Sequence, residues 1–170
     1  VDSLVLYNGR PAVVRTADDK KLTIELPDGE RASVRPKDVA LLHPGPAAHP
    51  VRLPGTHGDP VTAWELLDSG RTTLPELAEL AFGDYSPATA WAAWQLVADG
   101  LYFTGVPDAI IVHPATKVAE TLAAREAKAV EERAWAAFVD RAARAELAAE
   151  DARYLTDVVA LAHEKSESSR

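Results

Sequence analysis

Residues 72–116 read TTLPELAELAFGDYSPATAWAAWQLVADGLYFTGVPDAIIVHPAT, and this stretch decides the fold. Thr73-x-x-Glu76 has the spacing of a capping box and starts a helix with Leu74, Leu77, Leu80 and Ala81 on one face. Phe82-Gly83-Asp84-Tyr85 is a turn. Ser86-Pro87 opens a second helix that carries Trp91, Trp94, Leu96 and Val97 and ends near Gly100. Leu101-Tyr102-Phe103 and Ala109-Ile110-Ile111-Val112 read as two strands around Gly105-Val106-Pro107-Asp108. Just upstream, Asp59 caps a helix with Pro60 in its first turn, running through Trp64, Leu66 and Leu67 to Gly70. Three helices followed by a hairpin is the order of a winged helix-turn-helix, here over residues 60–113.

The charge of the same stretch argues against DNA. Its 45 residues contain no lysine or arginine but five carboxylates, Glu76, Glu79, Asp84, Asp99 and Asp108. Nucleic-acid affinity is built mainly from Lys and Arg neutralising phosphates. A groove-reading third helix, Ser86–Asp99, offers only Thr89 and Gln95 to base edges. Trp91 and Trp94 share a face with Val97, which is the spacing of a core stripe. The expectation is a helix-turn-helix kept for packing or protein docking, with DNA an unlikely partner.

Toward the N-terminus the pattern changes to β. Leu4, Leu6 and Ala12-Val13-Val14 flank Asn8-Gly9, a hairpin turn signal. Leu22, Ile24 and Leu26 alternate with Thr23 and Glu25, and Pro27-Asp28-Gly29 is a turn. Ala32, Val34 and, after Arg35-Pro36-Lys37-Asp38, Val39-Leu41-Leu42 complete four or five short strands. Residues 1–43 are therefore expected to close into a small SH3-like or OB-like β-barrel. Residues 44–59 hold Pro44, Pro46, Pro50 and Pro54 with Gly45, Gly55 and Gly58, and read as a linker. From about Pro114 an alanine-rich, charged helix runs to roughly Glu150, with a second helical piece from Asp151 to His163. Its large apolar residues (Val118, Leu122, Val130, Trp135, Phe138, Val139, Leu147) are sparse, so this 114–165 connector needs a partner surface. The fold class expected is α+β.

Composition narrows the function. The chain has 170 residues, 47% apolar, with a net charge of −8. Seven basic and seven acidic groups balance in residues 1–43, whereas residues 44–114 carry two and eight, and 115–170 nine and eleven. There is no cysteine, which excludes disulfides and thiolate chemistry. The absence of methionine, position 1 included, fits a processed or non-standard start or a piece of a longer chain, and the ending Ser166-Glu167-Ser168-Ser169-Arg170 reads as cut. No signal peptide or membrane-spanning run is evident, so a cytoplasmic location is the default. His43, His49, His57, His113 and His163 lie in the linker, at the hairpin end and in the tail, and no metal site is expected of them. Glu131-Glu132 and Glu150-Asp151 are sequence neighbours pointing in different directions, and read as solvated faces rather than a catalytic pair. No catalytic motif and no phosphate loop is present. The basic residues of the N-terminal part, Arg10, Arg15, Lys20, Lys21, Arg31, Arg35 and Lys37, with Tyr7 to stack a base, are the candidate RNA-contacting set. The alternative for them is an ordinary mixed-charge surface.

Several strings have a likeness. Asn8-Gly9-Arg10-Pro11-Ala12-Val13-Val14, Leu26-Pro27-Asp28-Gly29-Glu30, Val34-Arg35-Pro36-Lys37-Asp38-Val39, Ala63-Trp64-Glu65-Leu66-Leu67 and Ser86-Pro87 through Tyr102-Phe103 resemble the N-terminal region of ribonuclease II/ribonuclease R (RNB) family exoribonucleases. The branch most resembled is that of cyanobacteria, plastids and Deinococcus-type bacteria. The resemblance implies processive 3′→5′ hydrolysis of single-stranded RNA by a Mg²⁺-dependent catalytic domain lying C-terminal to residue 170, with its metal-binding aspartates there. This segment would then be its non-catalytic RNA-binding or substrate-gating region, needing no cofactor of its own. The competing expectation is a stand-alone winged-helix transcription regulator or protein-docking module.

Overall fold

A computed structural model describes residues 1–49, 57–68, 70–146 and 148–155. The chain is α+β, and every strand pairing among the described residues is antiparallel. Residues 1–118 form one compact unit, and a second begins at Ala119.

In the first unit, β1 (Leu4–Tyr7), β2 (Arg10–Ala17), β3 (Leu22–Glu25), β4 (Arg31–Val34) and β5 (Ala40–His43) make one sheet in the order β4-β3-β2-β1-β5. The β1–β2 turn works because Asn8 and Gly9 both take positive φ, 48° and 75°, the conformation a two-residue hairpin loop demands. Period-two alternation sends side chains to two faces. Val5, Ala12, Val14, Ile24, Leu26 and Val34 form one core cluster, while Leu4, Val13 and Leu42 join another.

The expected closed barrel is not formed: β4 and β5 are the two edges of an open sheet and do not pair with each other. The reason lies in Arg35-Pro36-Lys37-Asp38. Pro36 has no N–H to extend the β4 ladder and instead starts a 3-10 turn, Pro36–Asp38. That turn carries the chain across the curled sheet, so Val34 and Val39 meet in the same cluster without edge-to-edge hydrogen bonds. The β5 edge is occupied differently, since the Leu42 carbonyl accepts the Tyr85 hydroxyl at 2.6 Å.

The remainder of this unit contains α1 (Pro60–Leu67), β6 (Gly70–Thr72), α2 (Leu74–Phe82), α3 (Pro87–Asp99), β7 (Phe103–Val106) and β8 (Ala109–Val112), with a second sheet ordered β6-β8-β7. Asp59 caps α1, its carboxylate accepting from the Thr62 N–H at 2.9 Å. The Thr73 capping box does not form. Thr73 makes no side-chain cap bond, and Glu76 instead accepts from the Thr72 hydroxyl at 2.6 Å. A reciprocal box closes α3 instead: the Ser86 N–H donates to Thr89 Oγ1 at 2.8 Å and the Thr89 N–H to Ser86 Oγ at 3.3 Å. Strand β6 was not foreseen. Three residues are too short for a periodic signal, and Arg71 and Thr72 are held extended by pairing with Ile111 and Ile110.

The core beneath these elements is built from small residues on α3. Ala90, Ala93 and Val97 meet Leu74, Leu77, Ala78 and Ala81, over Phe103, Ile110 and Val112. Each fully buried Leu, Ile or Phe contributes about 1.5–3 kcal/mol of transfer free energy. Trp91 and Trp94, expected inside, are only half-buried and flank this stripe. Alanines at the contact let the helices approach closely, which leaves no room for indoles between them.

Sheet and helices share that core. The stretch expected as a linker starts with Gly45 and Ala47 lying against the sheet: the Ala47 N–H donates to the Asp2 carbonyl at 2.8 Å, and Ala47 is buried. Gly45, at φ 104°, approaches the Asp2 carbonyl so closely that a Cβ there would overlap it. Residues 50–56 lie outside the described residues.

Helix α4 (Ala115–Ala143) stops well short of Glu150. Ala145 adopts φ 58°, and the chain turns through residues 144–146 to a 3-10 turn at Ala149–Asp151 and helical residues 152–155. In the second unit Trp135, Phe138 and Tyr154 form an aromatic trio with centroids 5.0–5.3 Å apart. Asp151, expected in a solvated face, is fully buried and bound by both the Arg141 guanidinium and the Ala148 N–H. Val130 and Val139 are both about half exposed. Nine residues apart on a helix, they point to opposite sides, so the apolar residues do not form one stripe. Leu147 and residues 156–163 lie outside the described residues. No helix among the described residues is long and apolar enough to cross a membrane.

Candidate functional site

The eight residues proposed from sequence as an RNA surface are distributed by the strand register into three places. Tyr7 and Arg10 are register partners at the β1–β2 turn. Tyr7 packs half-buried against the Val5/Ile24 core, so its ring is only partly presented. Arg10 reaches the next turn and binds Asp28 at 3.0 Å.

On the opposite face, Val13 pairs with Glu25 and Glu25 with Arg31. Arg15, on that face, is held by three acceptors: Asp2 at 2.8 Å, Glu25 at 3.1 Å and the Ala48 carbonyl at 2.7 Å. Arg31 at 3.8 Å and His49 at 3.4 Å also face Glu25. The hydrogen bond from Arg15, more than the neighbouring charges, holds the Glu25 carboxyl below its usual range. A guanidinium with this many fixed acceptors has little left for a phosphate. Arg15 is a clasp between the N-terminus, the sheet and residue 48.

The third place is one end of the sheet. Ala17 pairs with Leu22 and Leu22 with Val34, so the 18–21 turn lies beside the residues that follow β4. Asp18 folds the turn by accepting the N–H groups of Lys20 and Lys21 at 2.9 and 2.7 Å. Those bonds hold its carboxyl below the ordinary value. Arg35 binds Asp38 through two nitrogens at 2.7 and 3.1 Å, which lowers the Asp38 carboxyl in turn. Lys20, Lys21 and Lys37 are exposed, with the Asp18 carboxylate near Lys21 and that of Asp38 near Lys37. Four of the seven cations thus make direct ion pairs with carboxylates, and the three lysines gather at one sheet end.

Sequence reasoning missed two features of the helical part. Trp64 donates its indole N–H to the His113 carbonyl at 2.6 Å, beside a cavity of about 360 Å³ lined also by Glu65, Asp68, Pro114 and Ala115. His43 is buried: its Nδ1 accepts from the Gly45 N–H at 2.9 Å, Nε2 lies 3.3 Å from the Tyr85 carbonyl, and its ring sits 4.5 Å from that of Tyr85. It joins sheet to helices, and its place in a proline-rich segment concealed this. Among the described residues no group of three or more His, Asp or Glu side chains is arranged to hold a metal. No protein-family model matches the chain, no curated protein matches it, and no solved structure matches it.

Proposed function

We propose that residues 1–170 are the non-catalytic N-terminal region of a 3′→5′ exoribonuclease of the ribonuclease II/ribonuclease R family. In this reading the five-stranded sheet contacts single-stranded RNA, and the helical part braces or gates the entrance to a catalytic domain beyond residue 170. That domain would hold the Mg²⁺ ions. The strings carrying the resemblance fall on structure-setting positions: the Asn8-Gly9 turn, the 3-10 turn at Pro36–Asp38 and the Ser86 cap. The strand order, with β5 returning beside β1, supports an SH3-like sheet left open. Three helices with a three-stranded sheet support a winged helix.

The observation that carries the RNA assignment to the sheet is the distribution of cations. Lys20, Lys21 and Lys37 lie exposed at one sheet end, whereas residues 57–114 contain a single Lys or Arg, Arg71. Binding of a short labelled single-stranded RNA to the chain should weaken between about 50 and 200 mM salt. Combining Lys20→Glu, Lys21→Glu and Lys37→Glu should lower the salt slope by about 2, at ~0.7 per phosphate contact. Salt-insensitive binding, or a triple variant that binds like the parent, rules the sheet out as an RNA surface. The protein-docking reading is favoured by a different observation, the chemistry of α3.

A further inference from the structure

Along α3 the solvent side is neither basic nor uniformly polar. Ala92, Gln95 and Leu96 line a groove of about 330 Å³ with Phe82, Pro60, His57 and Gly58. The groove is preformed. The Asp59 N–H donates to the Ala81 carbonyl at 2.8 Å, fixing the residues before α1 onto the end of α2. Gly58 lies so close on the Phe82 ring and the Ala81 carbonyl that any side chain there would displace the ring.

No described Lys or Arg lines this groove. Helical spacing puts Glu79 one turn before Phe82, while Asp84 follows Phe82 by two residues. Both are exposed. Across residues 57–114 eight carboxylates stand against Arg71. A polyphosphate is repelled by such a surface, and a lysine- or arginine-bearing protein is drawn to it.

From the apolar lining and the acidic surround we infer that the α3 groove docks a protein segment presenting a large apolar side chain flanked by lysine or arginine. The apolar anchor fills the space over Phe82 and Leu96, and the flanking cations meet Glu79 and Asp84. Charge sets selectivity and the anchor sets position. The inference stands on the groove alone and holds whether or not the chain belongs to a nuclease.

The test is a titration of the full chain, followed by amide NMR, with two designed peptides sharing one leucine anchor, one flanked by lysines and one by glutamates. The lysine peptide should shift the signals of Phe82, Ala92, Gln95 and Leu96 and bind about tenfold tighter than the glutamate peptide. Leu96→Glu, at a half-buried position on the groove wall, should abolish those shifts while the spectrum stays dispersed. Should that variant lose dispersion, Glu79→Lys with Asp84→Lys must instead reverse the peptide preference. Equal binding of the two peptides, shifts elsewhere in the molecule, or the same shifts produced by single-stranded RNA would each overturn the inference. So would a lysine peptide that binds markedly tighter to Leu53→Ser than to the parent, because the groove would then be filled from within.

Discussion

The five-stranded sheet and the helical part of the first unit use charge in opposite ways. The sheet region balances seven cations with seven carboxylates, and four of the cations are tied to acids by the strand register and the turns. The helical part carries eight acids against one basic residue, Arg71, over residues 57–114, and joins the sheet through Tyr85 on the Leu42 carbonyl, the His43 ring on Tyr85, and a shared apolar core. A count of basic residues therefore overstates what the sheet offers a nucleic acid. A proline-rich segment likewise overstates how separate the two regions are.

The most severe way to break the comparison is to attack the shared core from the sheet side. Leu4 is fully buried and belongs to the same cluster as Leu77 and Phe103. Leu4→Ala should cost about 2–5 kcal/mol. In a Trp135→Phe background the remaining indoles, Trp64, Trp91 and Trp94, all report on the helical part. Their unfolding midpoint in urea should fall together with that of the sheet. Indoles that keep their parent midpoint would make sheet and helices two independent folding units.

A second comparison sets the first unit's apolar core against the second unit's dependence on one buried carboxylate. The Arg141 guanidinium and then the Ala148 N–H lower the Asp151 carboxyl from 3.8 to about 2. A carboxyl depressed on folding adds stability that is complete above the unfolded value, 3.8, and disappears as pH falls through about 2. Trp135, against Tyr154, is the local reporter. Its emission should show a loss of stability across that window in the parent and a flatter profile in Asp151→Asn. Identical profiles would mean that the pair does not hold the turn.

These cases also show where the sequence was readable. Asn8-Gly9, Asp59-Pro60 and Ser86-Pro87 announced their elements because local chemistry alone determines the backbone there. The helix stop after Ala143 had no such sign: residues 141–146 contain neither glycine nor proline, and alanine at φ 58° is unfavourable. The stop is held by the Glu146 N–H on the Arg141 carbonyl, five residues back, and by Asp151, ten residues on, binding the Arg141 guanidinium. Barrel closure failed to appear for a related reason, since strand identity was local and edge pairing was not. Of the candidate RNA set, residue types were legible but their acid partners were not, because Arg10–Asp28 and Arg15–Glu25 arise from register.

The joint itself supplies a smaller test. Tyr85→Phe removes the hydroxyl that the Leu42 carbonyl accepts and keeps the ring against His43. The expected loss is about 1 kcal/mol, measured by urea unfolding. No loss would mean that ring packing alone joins the two regions.

The finest distinction concerns two helix starts that look equivalent in sequence. Thr73-x-x-Glu76 has the better capping-box spelling, yet Thr73 makes no side-chain bond, whereas Ser86 and Thr89 satisfy each other's backbone N–H groups. Ser86→Ala should therefore cost about 1 kcal/mol, and Thr73→Ala should stay within about 0.5 kcal/mol of the parent. The pair is informative because both changes remove the hydroxyl of an N-cap residue from a helix with proline in its first turn, so differences in propensity largely cancel. A larger loss at Thr73 than at Ser86 would show that the spelling, rather than the Thr72–Glu76 bond, governs how α2 begins.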